Sequence, residues 1–418
     1  MTTNRSFPAQ GRPWSEVQSA MAEARKGDLP WRAPRIFKPA YFAGEDLVQV
    51  ANAAYDMYIS DNALYGNTSY PSLGRYEEDV VAMMLEILDA PEGAGGSISS
   101  GGTESNMMAV KTARDWAREA KPGATAPEIV VPRTAHPSLE KGAQMFGVKV
   151  VRMAGSVDWR ADIAGMAAAI TPNTIMLVGS APPYPYGTTD DISALSQLAE
   201  RHKLWLHVDS CLGGLILPFA RRLGKEVPDF DFALPGVTSI SVDIHKFGYA
   251  NKGVSVLLLR DKTLERFQRT TFDAWPSGLY STPNITGSRS GGAIASAWAV
   301  MNYLGKEGYQ ERVRIILGIR DRIIAGICKV PGLYVIGKPD AYNFAFASKE
   351  FDMNAVADAM EDRGWVMGRA GEPASIQLMA NRAHDESAED FVADLALAVA
   401  DVRAGRAVSR GVKAVYAT

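Results

Sequence analysis

Ser241–Val242–Asp243–Ile244–His245–Lys246–Phe247–Gly248–Tyr249 runs from a short strand-like stretch through a histidine and a lysine into a glycine-broken turn. A strand end fixes the position of a side chain, and the turn beyond it leaves room for a ligand. A lysine held there is expected to be partly desolvated, which lowers its pKa and makes its neutral amine a nucleophile toward an aldehyde. A His-Lys pair alone reads first as solvated surface charge, so Lys246 has to be judged with what precedes it.

Leu204–Trp205–Leu206–His207–Val208–Asp209 is an apolar run that ends in a carboxylate, and it follows a helix-like stretch over residues 191–203. An acid at the carboxyl end of a parallel strand faces the crevice where open α/β sheets bind ligands. There it can pair with a pyridinium nitrogen, so that the ring accepts electrons. Further upstream, Ser99–Ser100–Gly101–Gly102–Thr103–Glu104–Ser105–Asn106 leads into a helix-like run. The glycines allow close backbone approach, the helix start offers unpaired N–H groups to a phosphate, and Thr103 adds a hydroxyl. Ala135–His136–Pro137–Ser138 follows the strand-like Ile129–Val130–Val131, a corner from which an imidazole can stack on a flat ring. Taken singly, these are a capping aspartate, a capped helix and a satisfied histidine. In the order 102–103, 136, 209, 246 they form a phosphate cup, a stacking imidazole, a ring-nitrogen acid and a Schiff-base lysine. That set calls for pyridoxal 5'-phosphate.

Between about residues 97 and 260, helical patterns alternate with short apolar strands at 129–131, 148–152, 175–179, 205–208, 239–242 and 254–259. Alternation of this kind predicts an α/β fold whose mostly parallel sheet is covered by helices on both faces. Helical spacing also covers 45–58 and 77–88, with residues 62–71 between them read as loop. A Gly-, Ser-, Thr- and Pro-rich loop at 275–292 serves as a hinge. Beyond it, helices at 293–304, 309–328, 353–363 and 389–403 and strands at 333–336, 342–347 and 376–379 make a smaller α+β unit. The expected division is an N-terminal arm and helix (1–58), a large cofactor-binding domain (59–275), and a hinge with a small C-terminal domain (276–418).

The chain resembles the fold-type I, aspartate-aminotransferase-like pyridoxal-phosphate enzymes, in the branch holding the group II amino-acid decarboxylases and the sphingosine-1-phosphate lyases. The likeness runs from about residue 40 to 397. The lyase side is carried by Gly179–Ser180–Ala181–Pro182, Asp209–Ser210–Cys211–Leu212–Gly213–Gly214, Gly236–Val237–Thr238–Ser239–Ile240–Ser241, His245 through Gly253, and Thr286–Gly287–Ser288–Arg289. The resemblance implies a carbon–carbon lyase that cleaves a phosphorylated long-chain amino alcohol by retro-aldol to a fatty aldehyde and phosphoethanolamine. An amino-acid decarboxylase is the alternative on the same scaffold. It implies Lys246, Asp209 and His136 as catalytic residues, with Gly102, Thr103, His245, Gly287 and Ser288 joining them around the cofactor. It assigns Lys252 to substrate phosphate; Tyr249 and Lys252 lie three and six residues beyond Lys246, where the same turn would hold both near the crevice, and Tyr65 and Asn67 are further hydrogen-bonding candidates. A homodimer with sites at the subunit interface is also implied, the N-terminal arm wrapping the partner. The chain departs from the lyase pattern twice: residues 62–71 hold no histidine, and a Pro-His-Gly segment becomes Pro185–Tyr186–Gly187.

Composition narrows the field. The 418 residues carry 44 basic and 47 acidic side chains, a net charge of −3, which argues against a nucleic-acid partner. Two cysteines, Cys211 and Cys328, make neither a disulfide framework nor a conventional zinc site, and no metal is expected. Residues 1–11 lack the apolar core of a signal peptide, and no apolar run of bilayer-spanning length, about 18 residues, occurs. The expectation is a cytoplasmic enzyme acting on a small phosphorylated amino alcohol or amino acid.

Overall fold

The computed structural model describes residues 7–38, 41–412 and 414–415, so the first six residues of the expected arm lie outside the described residues. The chain opens with α1 (Trp14–Arg25), which buries none of its residues, and α2 (Glu45–Tyr58), which buries Leu47 and Ala51 one turn apart. The next helix, α3 (Pro71–Ile87), starts six residues earlier than the apolar spacing predicts. Pro71 is its first residue, where a fixed φ and a missing N–H suit a helix start, so the expected loop ends at Tyr70.

Seven strands form the central sheet: β1 (Gly95–Ser99), β2 (Glu128–Val131), β3 (Lys149–Arg152), β4 (Thr174–Ser180), β5 (Trp205–Asp209), β6 (Ser239–Val242) and β7 (Ser255–Leu259). Their spatial order is β1-β7-β6-β5-β4-β2-β3. β7 alone runs against the other six, pairing antiparallel with β1 and with β6. The remaining neighbours are parallel. β2, β4, β5, β6 and β7 are buried at every position, which is why they read as unbroken apolar runs. β1 was not predicted, because Gly-Gly-Ser-Ile-Ser offers a single apolar side chain.

Helices α4 (Gly102–Ala120), α5 (Ser138–Phe146), α6 (Ile163–Ala168), α7 (Ile192–His202) and α8 (Leu217–Arg222) fill the crossovers. α4 and α5 enclose one apolar cluster with the sheet, in which Trp116 meets Trp205 edge to face at 5.7 Å. A larger cluster on the opposite side is continuous with the C-terminal part. After α9 (Glu265–Gln268), a hairpin of β8 (Thr270–Phe272) and β9 (Tyr280–Thr282) replaces part of the expected hinge loop. The helix α10 (Gly292–Ile327) follows, broken at Gly305, whose φ of 55° separates the two helices expected there.

The C-terminal part is a four-stranded antiparallel sheet, β10 (Leu333–Val335), β11 (Asn343–Ser348), β12 (Gly368–Gly371) and β13 (Ala374–Met379), in the order β10-β11-β13-β12. It packs with α11 (Met353–Glu361) and α12 (Ala388–Arg403). No helix among the described residues is long and apolar enough to cross a membrane.

One buried imidazole ties the two ends of the fold together. His384 Nδ1 accepts the Asn381 N–H at 3.0 Å, so its Nε2–H donates to the Ile36 carbonyl at 3.0 Å. Its ring stacks on Phe37 at 3.8 Å. Burial pushes His384, His207 and His245 each down to about 4 from the ordinary 6.5. Between those values the unfolded chain binds more protons, so their contribution to stability is whole above pH 6.5 and lost as pH falls toward 4. Asp190, which burial pushes up to about 7, opposes them, its own contribution fading as pH rises through that value. Three imidazoles outweigh one carboxyl, so the thermal midpoint should fall between pH 6.5 and 4. His384→Gln should make that fall shallower; an unchanged slope in thermal unfolding would refute the assignment.

Candidate active site

A cavity of about 470 Å³ opens beyond the carboxyl ends of β4, β5 and β6. Ser180 and Asp209 are the last residues of β4 and β5, and Asp243 is the first after β6. Gly102, Thr103, His136, Asp209, His245 and Lys246 all line this space.

The turn from β1 into α4 supplies one wall. Gly101 has φ of 154°, and a Cβ there would lie 3.2 Å from the His245 ring. A Cβ on Gly102 would lie 2.5 Å from an Asp243 oxygen and 2.8 Å from Cys211 Sγ, so only glycine lets the helix start come this close. Glu104 locks the turn: its Oε2 accepts the Ser100 N–H at 2.7 Å, and its Oε1 accepts those of Ile285 at 2.7 Å and Thr286 at 3.2 Å. Burial raises the pKa of this carboxyl, but the hydrogen bonds outweigh it and hold Glu104 below the usual carboxylate range.

Asp209 Oδ2 accepts from Asn106 Nδ2 at 2.9 Å and Oδ1 from the Cys211 N–H at 3.1 Å. His136 sits at the corner before α5, its Nδ1 2.8 Å from Ser138 Oγ and 3.1 Å from the Ser138 N–H. Burial lowers its pKa, which favours the neutral ring. Cys211 is buried beside the site, where burial and the carboxylates of Asp209 and Asp243 push its thiol up and keep it protonated.

Lys246 corrects the expectation of a depressed amine. Its Nζ is 2.7 Å from Asp243 Oδ2. Burial lowers the lysine, yet the adjacent carboxylate outweighs burial and raises it well above its ordinary value. Asp243 shifts in the matching direction: burial raises it, while Lys246 and His245 pull it below the usual carboxylate range. His245 Nδ1 accepts the Val254 N–H at 3.2 Å, leaving its Nε2 3.8 Å from Asp243. Asp243, Asn106, Ser138 and Ser241 belong to the quoted stretches but were not singled out. Their signal was the spacing: Asn106 lies four residues after Gly102 on one helix face, and Asp243 three before Lys246.

The remaining candidates lie elsewhere within the chain. Lys252, an exposed residue that does not line the first cavity, donates from Nζ to the His245 carbonyl at 2.8 Å and lies 4.3 Å from the Tyr41 ring centroid. Tyr249, with φ of 62°, points into the core, its ring against Phe247 at 5.7 Å and Tyr309 at 6.4 Å. Tyr65 and Asn67 line a second cavity of about 750 Å³ with Trp275, Tyr280 and Arg289. Gly287 and Ser288 follow the lining residue Thr286 but do not line the first cavity, and Ser288 Oγ instead accepts from Asn62 Nδ2 at 2.9 Å. Tyr186 faces the β12–β13 turn, donating to the Glu372 carbonyl, while Tyr184 lines the first cavity.

A family model described as the pyridoxal-dependent decarboxylase conserved domain matches residues 2–349. The chain is 40% identical to a sphingosine-1-phosphate lyase of Oryza sativa subsp. japonica over 398 residues, 93% of this chain and 73% of that protein. It is 33% identical to a probable L-aspartate decarboxylase of Pyrococcus furiosus, over 86% of this chain and 94% of that one. Among solved structures, a sphingosine-1-phosphate lyase of Burkholderia pseudomallei is 39% identical, with a TM-score of 0.91 covering 96% of this chain and 94% of that one. A glutamate decarboxylase of Lactobacillus brevis, 20% identical, covers 95% of this chain and 94% of that one at a TM-score of 0.82, and shares the fold.

Proposed function

This chain belongs to the pyridoxal-dependent decarboxylase family as a pyridoxal-phosphate-dependent lyase, and we propose that its substrate is a phosphorylated long-chain amino alcohol such as sphingosine 1-phosphate. The products are a fatty aldehyde and phosphoethanolamine, from cleavage of the C2–C3 bond. The observation that carries this reading is the likeness to sphingosine-1-phosphate lyases over 93% of this chain in sequence and 96% in fold.

The donor set fits the cofactor. Helix-start N–H groups behind two glycines suit a phosphate, a carboxylate suits a ring nitrogen, and an amine suits an aldehyde. When bound, pyridoxal phosphate supplies an electron-accepting ring for the bond broken beside the substrate's amine. We assign Gly102, Thr103 and His245 to the phosphate, Asp209 to the ring nitrogen, and His136 to the ring face. Lys246 is the amine that would hold the cofactor's aldehyde. Asp243, 2.7 Å from Lys246 Nζ, stabilises the protonated form of that amine in the cofactor-free site.

Lys252 is our candidate for the substrate phosphate. Burial, and next the charge of Lys246, push it down to about 8, so its cation is present at neutral pH and lost above that value. Lys252→Ala should raise KM for sphingosine 1-phosphate about tenfold or more and leave an unphosphorylated analogue unaffected. In the wild-type enzyme the same KM should climb as pH rises past about 8. Equal effects on both substrates would remove Lys252 from this role. Aldehyde and phosphoethanolamine released from sphingosine 1-phosphate test the reaction itself. Carbon dioxide from an amino-acid panel, with no aldehyde, would favour the decarboxylase alternative.

We further propose a cytoplasmic homodimer. Phe272, Trp275, Leu279 and Ile285 are exposed on and after the β8–β9 hairpin, an apolar surface suited to a second copy. Gly287 and Ser288, with Tyr65 and Asn67, would then serve the partner's site. The division at residues 58 and 275 remains our reading of the domains.

A further inference from the structure

Asn106, one turn into α4 and 1% exposed, uses all four of its hydrogen-bonding positions within the site. Its Nδ2 donates to Asp209 Oδ2 at 2.9 Å and to Ser138 Oγ at 2.9 Å. Its Oδ1 accepts from Ser241 Oγ at 2.8 Å and faces His207 Nε2 at 3.1 Å. The amide has one sensible orientation, because the reverse would set its oxygen against the Asp209 carboxylate.

The roles of its neighbours follow. Since Ser138 Oγ receives a hydrogen from Asn106, its own hydrogen is left for His136 Nδ1, which also takes the Ser138 backbone N–H. Nδ1 is thus an acceptor, and the ring carries its hydrogen on Nε2. On the other side His207 Nε2 donates to the amide oxygen, so its Nδ1 accepts from Ser239 Oγ at 2.8 Å, and that oxygen accepts the Trp205 indole N–H at 2.8 Å. Burial keeps both imidazoles neutral, consistent with this pattern.

We propose that Asn106 is a positioning residue that couples Asp209 to His136, fixing the orientation of the carboxylate and turning the Ser138 hydroxyl hydrogen toward the imidazole through one amide. This rests on the reading of Asp209 and His136 as the two groups that meet the cofactor ring. Without the amide, Asp209 keeps only the Cys211 N–H, and Ser138 no longer has a reason to turn its hydrogen toward His136.

Two variants test the coupling. Asn106→Asp keeps the shape but replaces the donor by an acceptor facing Asp209, where two carboxyls must share a proton, and it offers the Ser138 hydroxyl a competing acceptor. Ser138→Ala cuts only the branch to His136. The first readout is the nitrogen NMR spectrum of histidine-labelled, cofactor-free protein, tractable with five histidines. The second is the dissociation constant of pyridoxal phosphate. Wild-type His136 should be neutral with Nε2–H. Both variants should move its signals, and Asn106→Asp should also weaken cofactor binding about tenfold to a hundredfold. A wild-type Nδ1–H tautomer, or His136 signals unmoved in Ser138→Ala, would overturn the coupling. So would cofactor binding within about twofold of wild type in a folded Asn106→Asp protein. Should Asn106→Asp fail to fold, the wild-type and Ser138→Ala spectra still decide. Neither readout uses substrate, so failure to release aldehyde would count against the substrate assignment alone.

Discussion

Lys246→Ala should abolish the absorption band of the covalently held cofactor and lower turnover by at least about 10⁴-fold. Borohydride should trap no adduct in the variant, whereas in the wild-type protein it should label position 246. An unchanged band would remove Lys246 from its role. The same substitution carries a stability effect that follows from the 2.7 Å pair with Asp243. The Asp243 side chain is 3% exposed, and removing its partner leaves a buried charge uncompensated. Breaking such a pair costs about 3–5 kcal/mol. The second substitution in Lys246→Ala/Asp243→Asn should restore part of the lost thermal stability without restoring the band. If the single variant melts with the wild type, the ion pair contributes less than its burial implies.

Asp209→Ala should lower kcat by about 10²–10³-fold and weaken cofactor binding, since it removes the charge proposed to face the ring nitrogen. The Cys211 N–H and one Asn106 Nδ2 hydrogen lose their acceptor at the same time. Asp209→Asn separates these effects, because it keeps an oxygen for the Cys211 N–H while withdrawing the negative charge. Turnover should stay low in both variants, with stability closer to wild type in the second. Near-normal turnover in either would contradict the electron-sink role, and steady-state kinetics with saturating cofactor is the measurement.

The central sheet was legible because its inner strands are buried on both faces and so announce themselves as apolar runs. The exceptions are physical. Gly95–Ser99 is held by backbone pairing to β7, and Gly368–Gly371 by pairing to β13, so neither needs large side chains. The candidate site was legible beyond the strand ends: Asp209 closes β5, His136 and Lys246 follow β2 and β6, and all three line one cavity. It was misread where spacing along the chain was taken for nearness in space. Tyr249 was placed with Lys246 on a shared turn, but its left-handed backbone sends the ring into the core. The lysine's protonation was misjudged for a related reason. Desolvation was weighed without Asp243, a carboxylate three residues away in the same quoted stretch.

The reversed direction of β7 bears on how the amine at position 246 moves. The segment from Asp243 to Val254 leaves one interior strand and re-enters the neighbouring one, and it is cross-braced by His245 N–H to the Val254 carbonyl at 3.2 Å. Functional loops usually belong to the easily opened part of a protein. This one is clamped at both ends by strands that separate only when the sheet itself comes apart. Its backbone-bonded amides, those of His245, Lys246, Tyr249 and Ala250, should therefore exchange with solvent deuterium among the slowest in the molecule, on the timescale of global unfolding. The nucleophile sits on a rigid mount, and adaptation to different substrates must come from the walls around it.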